Sequence, residues 1–193
     1  PVGIRLYEAL LGALHAGMTA VFADPSAGLP FLRHCCDMAP PAGFFGSARA
    51  HLLRLALPGL RRARGVHGRG VVPFSVRWGT PGHAAEALRV ADDHPALVTF
   101  TSGSTGRPKG AVRTHGFLLA QHAALAEALE HRAGETDLVT LPVFLLSNLA
   151  SGMTSVIADT PLARPGRPRL ERLRRQFAQR PPSRGAASPA FFG

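Results

Sequence analysis

A chain of 193 residues with 46% hydrophobic side chains is long enough to bury a core, and a formal charge of +10 raises the question of an acidic partner. Neither an apolar run of about eighteen residues nor a charged-then-apolar leader occurs, which argues against a membrane span or signal peptide and leads us to expect a cytoplasmic protein. Cys35 and Cys36 are adjacent and lack metal-ligand spacing, so they read as buried thiols in a reducing compartment, and no metal site is expected.

In chain order, Ile4, Tyr7, Leu10, Leu11 and Leu14 recur at helical spacing and stop at Gly17, predicting a first helix with its apolar stripe inward. Residues 18–23 read as a strand closed by the turn Asp24-Pro25-Ser26. A helix over Leu29–Met38, a strand at residues 43–45 and a helix over residues 48–57 follow. Glycine and arginine dominate residues 58–70, which read as a surface crossing before a strand at 71–76 and the turn-rich loop 78–82. The run Ala96-Leu97-Val98-Thr99-Phe100-Thr101 predicts a buried strand, and residues 110–114 a second one. Residues 115–132 form an alanine-rich helix ended by Gly134, with His115 and His122 marking its flank rather than a metal pair. A strand at 138–141, a short helix at 146–150, a strand at 153–157 and an arginine-rich helix at 168–179 complete the alternation, which indicates an α/β fold.

Between the two central strands lies Thr101-Ser102-Gly103-Ser104-Thr105-Gly106-Arg107-Pro108-Lys109-Gly110, with three glycines, four hydroxyls and the only lysine of the chain. The other twenty-one of the 22 basic residues are arginine. Gly103 and Gly106 allow the backbone N–H groups to converge on one anion, and the hydroxyls of Ser102, Ser104 and Thr105 add donors. Lys109 supplies a mobile point charge suited to a polyphosphate, where arginine would impose a fixed fork. Two nucleotide motifs are excluded by spacing. A Walker loop needs Gly-Lys followed by Ser or Thr, and a dinucleotide fingerprint needs G-x-G-x-x-G opening a helix. A plain Gly/Ser surface loop between two strands is the alternative that the residues alone leave open.

All ten positions of T-S-G-[ST]-T-G-x-P-K-G are met, and this segment, continued by Ala111-Val112-Arg113-Thr114-His115, resembles the phosphate-binding signature of the adenylate-forming superfamily. That superfamily contains acyl-CoA synthetases, luciferases and peptide-synthetase adenylation domains. Leu141-Pro142-Val143-Phe144 resembles the family's Pro-aromatic segment beside the acyl pocket, Gly152-Met153-Thr154-Ser155-Val156-Ile157 the strand after it, and Ser188-Pro189-Ala190 the close of the next unit. With His51-Leu52-Leu53-Arg54-Leu55, these pieces are similar to the branch of fatty-acyl-CoA ligases and the olefin β-lactone synthetase. Many ligases carry histidine after the Pro-x-Phe segment, whereas this chain has Leu145, a departure compatible with the β-lactone branch.

The resemblance implies part of a large N-terminal domain of layered β-sheets flanked by helices, with residues 1–193 as a partial AMP-binding domain. The C-terminal part and small lid domain, with the catalytic lysine and magnesium-binding acid, are expected outside this chain. It implies MgATP and a small-molecule carboxylic acid as substrates, and CoA where the second step forms a thioester rather than a β-lactone. Thr101, Ser102, Gly103, Ser104, Thr105, Gly106, Lys109 and Gly110 would hold the phosphates, and Phe144, Leu145 and Ser188 would border the acyl group. Two other readings stay open, a non-catalytic remnant and a basic nucleic-acid-binding fragment. For the latter, Arg164, Arg167, Arg169, Arg172, Arg174, Arg175, Arg180 and Arg184 form the densest patch, with Glu171 the one acid among them. A solvated helix face with Leu170, Leu173 and Phe177 turned inward accounts for most of it, and with one tryptophan and one tyrosine no specific nucleic-acid partner is expected. Composition says nothing of oligomeric state.

Overall fold

The computed structural model describes residues 3–67, 72–73, 75–77, 86–102, 108–159 and 170–186. They fall into two compact units, Arg5–Gly116 and the segments Pro1–Ile4 with Phe117–Gly193.

In the first unit, α1 (Ile4–His15) buries Tyr7 and Leu10, while Ile4 and Leu11 of the expected stripe are exposed. Gly17 ends it at φ +64°, and a Cβ there would come 2.7 Å from Leu88 Cδ2. β1 (Ala20–Phe22) leads to a single 3₁₀ turn, Pro25–Ala27, capped by Asp24. The Asp24 carboxylate accepts from the Ser26 backbone N at 2.8 Å, and that bonding lowers its pKa. α2 (Leu29–Met38) then presents two buried positions one turn apart. Leu32 packs with Leu57 and Leu60, whereas Cys35 packs with Val98 and Phe100. Phe31 and Ala23 touch both clusters, so this one helix joins the cores beneath two sheets.

The first of these sheets is parallel, in the order β2 (Gly43–Gly46), β3 (Arg64–His67), β4 (Ser75–Arg77). The other has β5 (Pro95–Ser102) at its centre, parallel to β1 on one side and antiparallel to β6 (Pro108–Thr114) on the other.

Several expectations for this unit are corrected. The helix at 48–57 is two short pieces, α3 (Ala48–His51) and α4 (Leu53–Ala56), because bonds from Leu52 N to Arg49 O and from Leu55 N to Leu52 O tighten the chain at the junction. The crossing at 58–70 contains a helical turn, α5 (Pro58–Arg61), and all of β3. Propensity hides β3, since Arg64-Gly65-Val66-His67 has one β-branched residue. Pairing on both sides makes it a strand, and Gly65 admits the close approach, for a Cβ there would lie 2.9 Å from Ser75 Cβ. The strand expected at 71–76 is observed as β4, with Val71 and Phe74 outside the described residues.

The second unit alternates helices and strands: α6 (His115–Ala128), β7 (Thr136–Val139), α7 (Pro142–Ala150), β8 (Thr154–Ile157), α8 (Leu170–Gln179) and β9 (Arg184–Ala186). Its sheet is parallel in the order β8-β7-β9, the arrangement that helical crossovers produce. Leu138, Val156, Ala158 and Leu173 form the core, with Phe177 packed against it. Leu170, expected inward, is 62% exposed, because it opens α8 one turn before the helix reaches that cluster. Surface ion pairs hold Arg172 to Asp159 and Arg174 to Glu171.

α6 stops at Ala128 rather than near residue 132. Glu130 takes the left-handed conformation at φ +48°, Glu130 N bonds Glu127 O and His131 N bonds Ala126 O, which together make a Schellman end without glycine. Arg184 secures it by donating to the carbonyls of Leu129 and Glu130 while pairing with Glu135 at 3.1 Å. Gly134 has φ +86° but serves the later turn. β7 begins two residues before the expected 138–141, and α7 begins at Pro142, whose preset φ suits a first helical turn. β9 was not expected, as Arg184-Gly185-Ala186 has no strand propensity of its own and is ordered by pairing with β7.

Candidate functional site

β5 and β6 form a hairpin whose register is Leu97 opposite Arg113, Thr99 opposite Ala111 and Thr101 opposite Lys109. Side chains alternate across a strand, so Val98 and Phe100 point to one face and Thr99 and Thr101 to the other. The first pair is buried against Cys35. The second pair shares its face with Lys109, Ala111 and Arg113, and Thr101, Lys109 and Ala111 are exposed. Apolar burial on one face thus sets the direction in which the polar residues on the other must point.

Of the predicted phosphate residues, Thr101, Ser102, Lys109 and Gly110 come together at the end of this hairpin. Gly103, Ser104, Thr105 and Gly106, with Arg107, lie outside the described residues. Pro108 and Lys109 belong to β6, not to the loop, and the proline is tolerated because β6 is an edge strand. Gly110 has a packing reason of its own, since it faces Phe100 and a Cβ there would stand 3.2 Å from the Phe100 ring.

The base of the hairpin is tied down. Thr19 Oγ1 donates to Pro95 O at 2.7 Å, His115 N to His94 O at 3.0 Å and Gly116 N to Asp92 O at 2.8 Å. The His94 ring contacts Gly17 O through Nε2 at 3.0 Å and lies 6.0 Å from the His115 ring. β1 pairs with β5 over Leu97–Thr99, and β6 pairs with it as far as Ser102, so the Thr101–Lys109 end is held by the backbone pairing of the hairpin itself.

Phe144 and Leu145 lie on α7 in the second unit, Phe144 half-buried and Leu145 4% exposed, and Ser188 lies outside the described residues. The polar side of α7 carries a group that the sequence reading missed. Asn148 Nδ2 donates to Asp137 Oδ2 at 2.8 Å and to Ser155 Oγ at 3.2 Å. His122 Nδ1 meets Ser147 Oγ at 3.0 Å, and His131 Nδ1 meets Ser151 Oγ at 2.9 Å. Burial, with repulsion from Arg184, lowers the His131 pKa against a smaller opposing pull from Asp137. Serine and asparagine in the middle of an otherwise apolar helix were the available signal. An open cleft of about 430 Å³ in the same unit is lined by Glu130, Arg132, Glu135 and Arg184, whose charges are satisfied by one another. The hairpin, whose Lys109 and Arg113 join no ion pair among the described residues, is the better candidate for binding an anion. Among the described residues no three His, Cys, Asp or Glu side chains are grouped to hold a metal, no helix is long and apolar enough to cross a membrane, and both cysteines are free.

The sequence matches the AMP-binding enzyme family over residues 1–177. It is 37% identical over 157 residues to an olefin β-lactone synthetase of Xanthomonas campestris, which covers 78% of this chain and 28% of that protein. The structure resembles the luciferase-like enzyme from the nonluminescent mealworm Zophobas morio, with a TM-score of 0.75 at 16% identity over 98% of this chain and 46% of the other. It also resembles a malonyl-CoA ligase solved with methylmalonyl-CoA and AMP bound, with a TM-score of 0.58 at 28% identity over 79% of this chain and 32% of that one. The chain therefore spans less than a third of the synthetase it matches.

Proposed function

The chain belongs to the AMP-binding enzyme family, and from that premise we propose that it supplies the nucleotide-phosphate cradle of an enzyme that activates a carboxylic acid with MgATP. A carboxylate oxygen attacks the α-phosphorus, the bond from that phosphorus to the bridging oxygen breaks, and pyrophosphate leaves with the bonding electrons. The protein's contribution at this step is to hold and neutralise the leaving pyrophosphate. Lys109 would meet the β- and γ-phosphates, Thr101, Ser102, Ser104 and Thr105 would donate hydrogen bonds, and Gly103 and Gly106 would let the backbone approach.

The observation that carries this reading is the register of the hairpin. Thr101 faces Lys109 at the open end of two anchored strands, so a hydroxyl and the chain's one ammonium flank the entrance to the Gly/Ser loop. The acid is a fatty or β-hydroxy fatty acid in this proposal, bordered by Phe144, Leu145 and Ser188. The second step is β-lactone closure, in which the substrate's β-hydroxyl oxygen attacks the acyl carbon, AMP departs and the hydroxyl proton passes to solvent. Two facts favour that step over a thioester: the long match to the β-lactone synthetase, and the apolar, buried Leu145 in place of a polar side chain.

Pyrophosphate exchange into ATP by the complete protein tests the first step. Lys109→Ala should lower exchange by roughly two to three orders of magnitude, the scale of losing a group that stabilises developing charge, and Lys109→Arg should restore only part of it. An alanine variant that exchanges at the wild-type rate overturns the cradle assignment. For the second step, β-lactone should form from a β-hydroxy fatty acid without CoA, and a strict requirement for CoA would transfer the protein to the thioester-forming ligases.

A further inference from the structure

Arg113 is half-buried, and its Nη1 donates to Thr99 Oγ1 at 2.8 Å. The ion pairs among the described residues are Arg5–Glu8, Arg132–Glu130, Arg172–Asp159, Arg174–Glu171 and Arg184–Glu135, and neither Arg113 nor Lys109 takes part in any of them. No aspartate or glutamate occurs from residue 95 to residue 114. A guanidinium partly shielded from water, with no carboxylate partner among the described residues, is a site where an anion would be favoured. The bond to Thr99 occupies one of its five N–H donors, which leaves most of the fork available.

The register gives that cation its place. Arg113, Ala111 and Lys109 follow one another along the same face, and same-face residues are spaced by about 7 Å along a strand. By reaching back to Thr99, the guanidinium sits at the row of Ala111, one row from Lys109 and Thr101. Ala111 has a small, exposed side chain, so the strip of sheet between the two cations is a low floor edged by the Thr99 and Thr101 hydroxyls.

We infer that Arg113 is a second phosphate-binding cation, which shares with Lys109 a polyphosphate chain lying along the hairpin, the lysine at the Thr101 row and the arginine one row below it. This rests on the proposed nucleotide function and extends it to a residue outside the ten-residue signature. The geometry also assigns Thr99 a role, that of aiming the guanidinium.

The test uses the complete protein, pyrophosphate exchange with ATP varied, and calorimetric binding of inorganic tripolyphosphate. Arg113→Met should raise the KM for ATP and the Kd for tripolyphosphate by about tenfold or more, the scale of one charge-assisted hydrogen bond, with kcat nearly unchanged. Arg113→Lys should recover part of the loss. Thr99→Val should weaken tripolyphosphate binding by only about threefold, less than Arg113→Met does, because the charge stays while the bond that aims it goes. If Arg113→Met does not fold, Arg113→Lys decides: an unchanged tripolyphosphate Kd and KM overturn the inference, and a weakened one with intact kcat supports it. Thr99→Val weakening binding as much as Arg113→Met would make Arg113 a structural clasp and overturn it. Lys109→Ala separates the two levels. If that variant is impaired while Arg113→Met binds normally, the inference fails and the proposed function stands, whereas a fully active Lys109→Ala removes the proposed function itself.

Discussion

Replacing Asn148 with alanine should be among the most costly single changes in the second unit. The side chain is fully buried at 0% exposure, and its amide donates to the carboxyl of Asp137, itself 2% exposed, and to Ser155. Loss of the bond to a buried carboxyl is worth about 1.5–3 kcal/mol and loss of the bond to serine about 0.5–1.5 kcal/mol. Their sum, about 3 kcal/mol, would lower the folding equilibrium constant by about a hundredfold and remove a large share of a typical domain's stability. The asymmetry of buried polar groups adds a sharper expectation. Asn148→Ala leaves Asp137 without its partner, but the double change Asp137→Val with Asn148→Leu removes both polar groups together, and should cost less than the sum of the two single changes by at least about 1.5 kcal/mol. Urea unfolding of the 193-residue chain, followed by far-ultraviolet circular dichroism, measures all four corners of the cycle. A loss below about 0.5 kcal/mol for Asn148→Ala, or additive single changes, would refute the reasoning.

Glu130→Gly should raise stability by about 0.5–1 kcal/mol, because glycine relieves a side chain held at φ +48° at the end of α6, and a destabilised variant in the same urea titration would contradict this. His131 has a folded pKa below its ordinary value of about 6.5, so the unfolded chain binds the proton first and stability, intact above that value, is lost as pH falls from it toward the lower folded pKa. The fall in melting temperature from pH 7.5 to pH 5.5 should accordingly be smaller in His131→Gln than in the wild type, and an equal fall would exclude His131 as a source. Burial and the neighbouring Cys36 raise the Cys35 pKa, so Cys35 should resist iodoacetamide at neutral pH in the folded chain and react after urea unfolding; mass spectrometry that finds it alkylated at the same rate in both states would be incompatible with its place beneath Val98 and Phe100.

The readable part of this protein was local. The alternation of apolar runs with helical stripes announced an α/β fold, Gly17 marked the end of α1, and the run from Ala96 to Thr101 predicted a strand, which β5 is, though buried on one face only. The ten-residue signature identified the family because its chemistry needs particular residue types in consecutive positions. The departures arose where a distant partner set the structure. β3 and β9 are strands through pairing alone, with sequences that carry no preference for it.

By itself the sequence determined the fold class, the family and the residues to inspect, since each depends on neighbours along the chain. Only the tertiary structure decided which of those residues share a face. Lys109, Thr101, Thr99 and Arg113 are scattered over fifteen positions, and they become one strip because β6 pairs with β5 in a register set by the burial of Val98 and Phe100. In the same way, Arg184 ends α6 across 54 positions and Asn148 meets Asp137 across 11, through contacts that no local propensity records. Periodicity is a property of one element, whereas register and burial are properties of two, and function at the hairpin depends on the second kind.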